Sequence, residues 1–382
     1  MSALLRGDRP AQASAPPSPS SLQPRGAGRR IARAALGALP VAALLLLLAL
    51  WVEGSGAPSD RQLAINFLVS LIAVVGIQSY VGTTGVLSFG HLGFMAVGAY
   101  ASALVTIPVA VRTTQLPDLP LIGSVELGFG GSLLVAALTA ALVTALLGAV
   151  FARFDGTAAV IATFGLLQIC NVLLYGLTDV TGGAQGLYGV PRDATVVVAA
   201  LLAGGAVLAA RLLRESRLGL KLRAGKQDQL AAAAMGVDVH RTRWVAWTVS
   251  GTIVGVAGAL QAHSLAIVSP SSYFLVPTFT LLAMLIVGGA GTVSGAIAGA
   301  VVVTAATQLL RGAEDGFALG PLHVGEIFGA TQIAVGLLTL AILVLRPGGL
   351  LPERELDERA PGAGAPRRWL RRARRRGAPV PD

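Results

Sequence analysis

Between Gly82 and Tyr100 the chain reads GTTGVLSFGHLGFMAVGAY, which places Ser88 and His91 three residues apart among glycines. A hydroxyl and an imidazole beside a glycine-broken helix could line a polar path, with freed amides turned toward a carboxylate. The same residues equally describe a tight packing seam around a hydrogen-bonded histidine. Thr163, Gln168 and Asn171 share a later apolar segment. Their uncharged hydroxyl and amide groups suit the passage of a neutral or zwitterionic solute, or hydrogen bonding between helices. Ser88, Gly90, His91 and Thr163 are the candidate path residues. A third group, Gly291, Gly295 and Gly299, recurs every four residues and predicts a smooth face for helix packing.

Enzymatic chemistry finds little support. The closest approach to a phosphate-binding loop, Gly219 to Gln227, has one intervening residue too many and puts Gln227 where a magnesium-binding hydroxyl belongs. His91, His240, His263 and His323 have no metal-ligand spacing, so neither a catalytic residue nor a metal site is expected. The single cysteine, Cys170, excludes an intrachain disulfide. Glu53, Glu126 and Glu326 lie at or beyond the ends of apolar segments, which counts against proton coupling but not against sodium sites built from carbonyls and hydroxyls.

The elements that must position these groups are membrane helices. The chain is 54% hydrophobic and 13% charged, too little polar surface for a water-soluble globule of 382 residues. Continuous apolar runs without alternation predict an all-α integral membrane protein with about ten transmembrane helices. They fall near residues 35–52, 63–81, 92–111, 129–151, 157–177, 194–213, 244–266, 273–290, 292–311 and 326–346. The first could be a signal peptide, but its long basic leader and the absence of a clean cleavage site favour a retained anchor. Residues 1–34 read as a disordered basic tail, 35–346 as the transmembrane domain, and 347–382 as a second basic tail. With ten spans, 25 of the 29 Lys and Arg fall on one side and four on the other. The positive-inside rule then places both termini in the cytoplasm, with the tails on anionic membrane lipid rather than on nucleic acid.

One long polar break, residues 212–243, interrupts the apolar region. Gln229, Ala231, Ala232, Ala233 and Ala234 favour a short helix, and Gly236 offers its C-cap. It is either a handle for a partner or an ordinary connector.

An ordered set of motifs resembles the permease subunits of branched-chain amino acid ABC importers, in particular their M-type subunit. The set runs GVLSFGHLGFMAVGAYASALV (from Gly85), TGGAQGL (from Thr181), SRLGLKLRAGKQDQLAAAAMGVDV (from Ser216), GALQAHSLAIVSP (from Gly258), LLAMLIVGGAGTVSGAIAGA (from Leu281) and LRPGGLLP (from Leu345). The resemblance implies a transport subunit of the bacterial cytoplasmic (inner) membrane with no cofactor of its own. ATP and Mg would sit on separate ATP-binding subunits docked at the 229–236 helix. A second, H-type permease and an extracytoplasmic solute-binding protein would complete the importer. The chain departs from the family in carrying Gln227, Gln229 and Ala233 where acidic residues are frequent. Permeases for urea or short amides share these motifs, and an ion-coupled carrier is the remaining alternative.

Overall fold

The computed structural model describes residues 27–117, 125–314, 317–319, 322–324, 329–346 and 348–351, with side chains for 35–117, 125–311, 329, 331–346 and 348–351. The chain runs through α1 (Ala27–Ser55), α2 (Pro58–Thr84), α3 (His91–Thr106), α4 (Val109–Gln115), α5 (Phe129–Phe151), α6 (Gly156–Gly176) and the short α7 (Thr178–Thr181). It continues through α8 (Val196–Glu215), α9 (Arg217–Gln227), α10 (Gln229–Ala234), α11 (Val239–Leu265), α12 (Leu275–Gly288), α13 (Val293–Glu314) and α14 (Ala330–Leu345). Among the described residues, two short 3-10 turns (Gly183–Gln185 and Pro270–Tyr273) and two small antiparallel pairs complete the regular structure: β1 (Leu187–Tyr188) with β2 (Ile267–Val268), and β3 (Phe317–Leu319) with β4 (Leu322–Val324).

Among the described residues, eight helices are long and apolar enough to cross a membrane, or nine if α3 and α4 form one broken span. Each of the ten expected segments falls on an apolar helix or bent helix pair, and two of them differ from a straight full-length span. The segment at 92–111 is not one straight helix, because α3 and α4 meet at 119°. Pro108 forces extended backbone on Ile107, which ends α3. The last segment is apolar, but its helix has 16 residues, short of the roughly 20 that a bilayer core requires. At the N-terminus α1 begins at Ala27, inside the stretch expected to be disordered. Residues 1–26 and 352–382 of the expected tails lie outside the described residues.

Helices α2, α3 and α11 form the core, and α5 shows why. Its Leu134, Leu138, Leu142, Leu146 and Val150 are exposed at four-residue spacing, as a lipid-facing stripe requires. Its Ser132, Ala136, Ala140, Thr144 and Gly148 are buried at the same spacing and pack on α11. There Ala140 and Thr144 occupy the space that side chains at Gly255 and Gly251 would need. Without a hydrophobic drive between helices in lipid, such small-residue contacts let van der Waals packing hold the bundle together.

The start of α1 and the segment after α14 lie at one end of the bundle. Gly204 of α8 packs on Ala42, and the Glu53 carboxylate accepts a hydrogen bond from the Val196 amide, so α1 and α8 are antiparallel. The start of α1 thus lies near the end of α8 and the entry to α9. After α14, the Leu350 and Leu351 amides bond to the Val287 and Gly288 carbonyls at 3.0 Å each. Arg214 at the end of α8 reaches the Gly291 carbonyl, which fixes the same end of the bundle.

Candidate functional site: a polar end and two glycine breaks

Helix α10 is short and closed at both ends. The Asp228 carboxylate accepts from the Ala231 amide at 3.0 Å, and Gly236 follows in the left-handed region at φ 80°. That αL position lets the Val237 amide return to the Ala232 carbonyl at 3.1 Å, a closure suited to glycine. Ala232 faces inward at 5% exposure, whereas Gln229, Ala231, Ala233, Ala234 and Gly236 are exposed. Leu230 and Met235 are 85% exposed each, large apolar side chains projecting from a polar loop. An alanine run read for helix propensity passes over the two residues that project from it.

Asp155, in the turn between α5 and α6, anchors α10. Its carboxylate accepts from Gln229 at 3.1 Å and pairs with Arg243 at the start of α11. Burial acts to raise the Asp155 pKa, but the Arg243 hydrogen bond and charge, helped by Gln229 and His240, outweigh it and hold the carboxyl below its ordinary value. An acid at position 229 would face this carboxylate, so Gln229 has a local reason to be neutral. Asp155→Asn is expected to cost about 1–3 kcal/mol, because the 3%-exposed Arg243 loses its charged partner. Because the folded pKa is depressed, the contribution is present above the unfolded value near 4 and disappears as pH falls through the folded value. Thermal melting should therefore differ between parent and variant at neutral pH and converge in acid.

Two cations tie the loop to the glycine breaks. The Lys226 ammonium donates to the Gly82 carbonyl at 3.1 Å, and its methylenes fill the space beside Gly85. Partial burial, and then the Arg214 charge, hold the Lys226 pKa below the usual lysine range. Arg214 binds the Gly291 carbonyl in the turn between α12 and α13, and Gln78 of α2 reaches the neighbouring Ala290 carbonyl at 3.4 Å. Local sequence carries no sign of these two contacts, because their partners lie 144 and 77 residues away.

The candidate path residues are brought together, and all are buried. Ser250 donates to the Gly76 carbonyl at 2.6 Å, so it accepts from His91 Nε2 at 2.9 Å. That leaves His91 Nδ1 to accept from the Ser88 hydroxyl, also at 2.9 Å. Across the break, the Phe89 amide donates to Thr163 Oγ1 at 3.2 Å, and Leu166 packs against Gly90. In this conformation the four form a satisfied seam between α2, α3, α6 and α11. Of the expected packing glycines, Gly295 and Gly299 face the end of α12, Gly295 against Gly288 and Gly299 against Met284 and Gly288. Gly291 does not continue that face. It lies in the preceding turn, because α13 begins only at Val293.

Comparison with known proteins agrees with this architecture. The family described as "Branched-chain amino acid transport system / permease component" matches residues 61–315. The chain is 26% identical over 319 residues to the high-affinity branched-chain amino acid transport system permease protein LivM of Escherichia coli (strain K12), covering 75% of this chain and 68% of that protein. It is likewise 26% identical over 325 residues to LivM of Salmonella typhimurium, covering 76% and 69%. A shorter match, 30% over 166 residues, is to the probable branched-chain amino acid transport permease protein LivH of Methanocaldococcus jannaschii, covering 43% and 49%. No solved structure matches the chain. The matched residues take in the glycine breaks and the α9–α10 loop, and the chain belongs to the family of branched-chain amino acid transport permeases.

Proposed function

We propose that this permease is one membrane subunit of an ATP-driven importer for branched-chain or related amino acids in the bacterial cytoplasmic membrane. A separate ATPase, which carries the ATP and Mg, docks on α10. A second, H-type permease completes the pore, and an extracytoplasmic solute-binding protein delivers the solute. Both termini and the α9–α10 loop then face the cytoplasm, as the concentration of basic residues there favours.

The observation that carries this reading is α10: a capped helix that holds Leu230 and Met235 in solvent at the end of a membrane bundle. Asp155 fixes α10 to α6 and α11, while Lys226 and Arg214 fix α9 and α8 to the two glycine breaks. Force applied at α10 therefore has a short route to the ends of α2, α3, α12 and α13. Purification from the native membrane in mild detergent is expected to recover an ATPase and a second permease in stoichiometric amounts. Recovery of this chain alone, active in ion-loaded vesicles without ATP, would favour the ion-coupled carrier.

A further inference from the structure

The cations between α8 and α11 fall into two groups. Arg214, Lys226 and Arg243 each hold a carbonyl or carboxylate of the bundle. Arg217, Lys221 and Arg241 are exposed, and their side chains make no ion pair or hydrogen bond among the described residues. These three nevertheless line one half-open cleft of about 400 Å³, a size suited to a small ligand. Arg217 and Lys221 share a face of α9 at four-residue spacing, and Arg241 comes from the first turn of α11.

The acids of the region are committed elsewhere. Asp228 caps α10, Glu215 lies 4.0 Å from Arg214, and Asp155 is taken by Arg243 and Gln229. Asp238 does line the cleft, but its carboxylate accepts from the Arg241 amide at 2.9 Å and so caps α11. Three cations against one carboxylate leave the cleft with a net charge of +2. Like charges four residues apart on a helix repel, so an anion from outside the chain stabilises this arrangement.

The cleft also grades from polar to apolar. Asp238, Arg241 and Val245 share one face of α11, and Val245 lies one turn, about 6 Å, further into the bundle than Arg241. Val245 and Leu218 form its apolar wall. The α8 span ends at Glu215, two residues before Arg217, so the cleft sits where membrane-crossing helices meet the polar loop. Trp244, beside Val245, is 37% exposed and donates its indole hydrogen to the Ala145 carbonyl at 2.7 Å. An indole with one wet and one apolar side belongs at the head-group level of a bilayer. Leu230 and Met235, which project from α10, do not line the cleft.

We infer that this cleft is a head-group site for an anionic phospholipid, with the phosphate between Arg217, Lys221 and Arg241 and the first methylenes against Leu218 and Val245. A phosphate has acceptor oxygens enough for all three cations. The apolar wall at the edge of the hydrocarbon suits a molecule anchored in that hydrocarbon, which a soluble phosphate is not. Gly236, which closes α10, also lines the cleft, so a bound lipid braces α9 against α11 beside that helix.

The test uses the full chain in mild detergent with phosphatidylglycerol and phosphatidylcholine at varied ratio. Native mass spectrometry measures the preference of the first bound lipid. The parent should prefer phosphatidylglycerol. Arg241→Gln should lower that preference about fivefold, and Arg217→Gln/Lys221→Gln/Arg241→Gln on the order of a hundredfold, since each cation near the surface contributes separately. Melting in phosphatidylcholine alone should be unchanged, and where the triple variant does not fold, Arg241→Gln decides. Arg153→Gln, exposed at the same end but outside the cleft, should keep the parent's preference. An equal loss in Arg153→Gln, or none in the cleft variants, overturns the site. Displacement of the lipid by equimolar glycerol 3-phosphate would make the ligand a soluble phosphate and overturn the lipid assignment. A triple variant that keeps its lipid preference but loses a co-purifying ATPase would give the cleft to that partner and overturn it as well.

Discussion

Replacing Leu230 and Met235 together by Asp is expected to release the ATPase and abolish uptake, while the permease still inserts and melts at its normal temperature. Each side chain is 85% exposed, so neither contributes to the packing of the isolated subunit. Burial of both against a partner contributes about 3–6 kcal/mol, or about a hundred- to ten-thousand-fold in affinity. Two added carboxylates would also have to be desolvated in the docked state. Ala232→Glu is a useful contrast, because Ala232 is 5% exposed and faces the loop interior. A charge there disturbs the α10 fold itself, so docking and local stability should fall together. A charged side chain at Gly236 meets open space, but it must adopt φ 80°, which costs about 1–2 kcal/mol. Normal ATPase recovery and uptake in the Leu230/Met235 double variant would remove α10 as the docking element.

Much of this arrangement is legible in the residues themselves, and the exceptions have physical causes. Long apolar runs announce the helices, and the helix over Gln229–Ala234 with glycine after it follows from propensity and capping. Hydropathy alone does not reveal the 119° bend after α3, because the residues immediately flanking Pro108, Leu104–Ile107 and Val109–Val111, are largely apolar and the local cause is Pro108 itself. A four-residue glycine recurrence predicts a packing face, yet it cannot say where the helix begins, and Gly291 falls one turn too early. Ser88, His91 and Thr163 do gather around the glycine break. Their partners, Ser250 and the Gly76 carbonyl, lie more than 150 residues from Ser88 or on another helix, and local spacing carries no trace of them. Asp155 is hidden for the same reason. It is a lone acid in a short turn, and its meaning comes from Arg243 and Gln229, which reach it only once α6, α10 and α11 are assembled.

Gly299→Ala is expected to prevent stable folding of the α12–α13 hairpin, although alanine is the better helix former. A Cβ at Gly299 would lie 1.8 Å from the Met284 carbonyl oxygen, a backbone atom that no rotamer change can move aside. On the facing helix, a Cβ at Gly288 would lie 1.9 Å from the Gly295 carbonyl oxygen, so the crossing is backbone against backbone. Relief requires the helices to separate, which forfeits contacts along their length at a cost of about 3 kcal/mol or more. Gly205→Ala in α8 is the matched control, since nothing lies within 4 Å of its added methyl and propensity favours it by up to about 1 kcal/mol. Detergent melting curves should show a large loss for the first variant and none for the second. The hairpin also carries the turn whose Gly291 carbonyl binds Arg214 and whose Gly288 carbonyl receives the Leu351 amide. Splaying it therefore loosens the link from α8 and α9 as well as the packing. A milder variant that still folds, Arg214→Gln, should keep the hairpin closed yet reduce uptake per ATP hydrolysed, which separates the packing role of Gly299 from the transmission role of its turn.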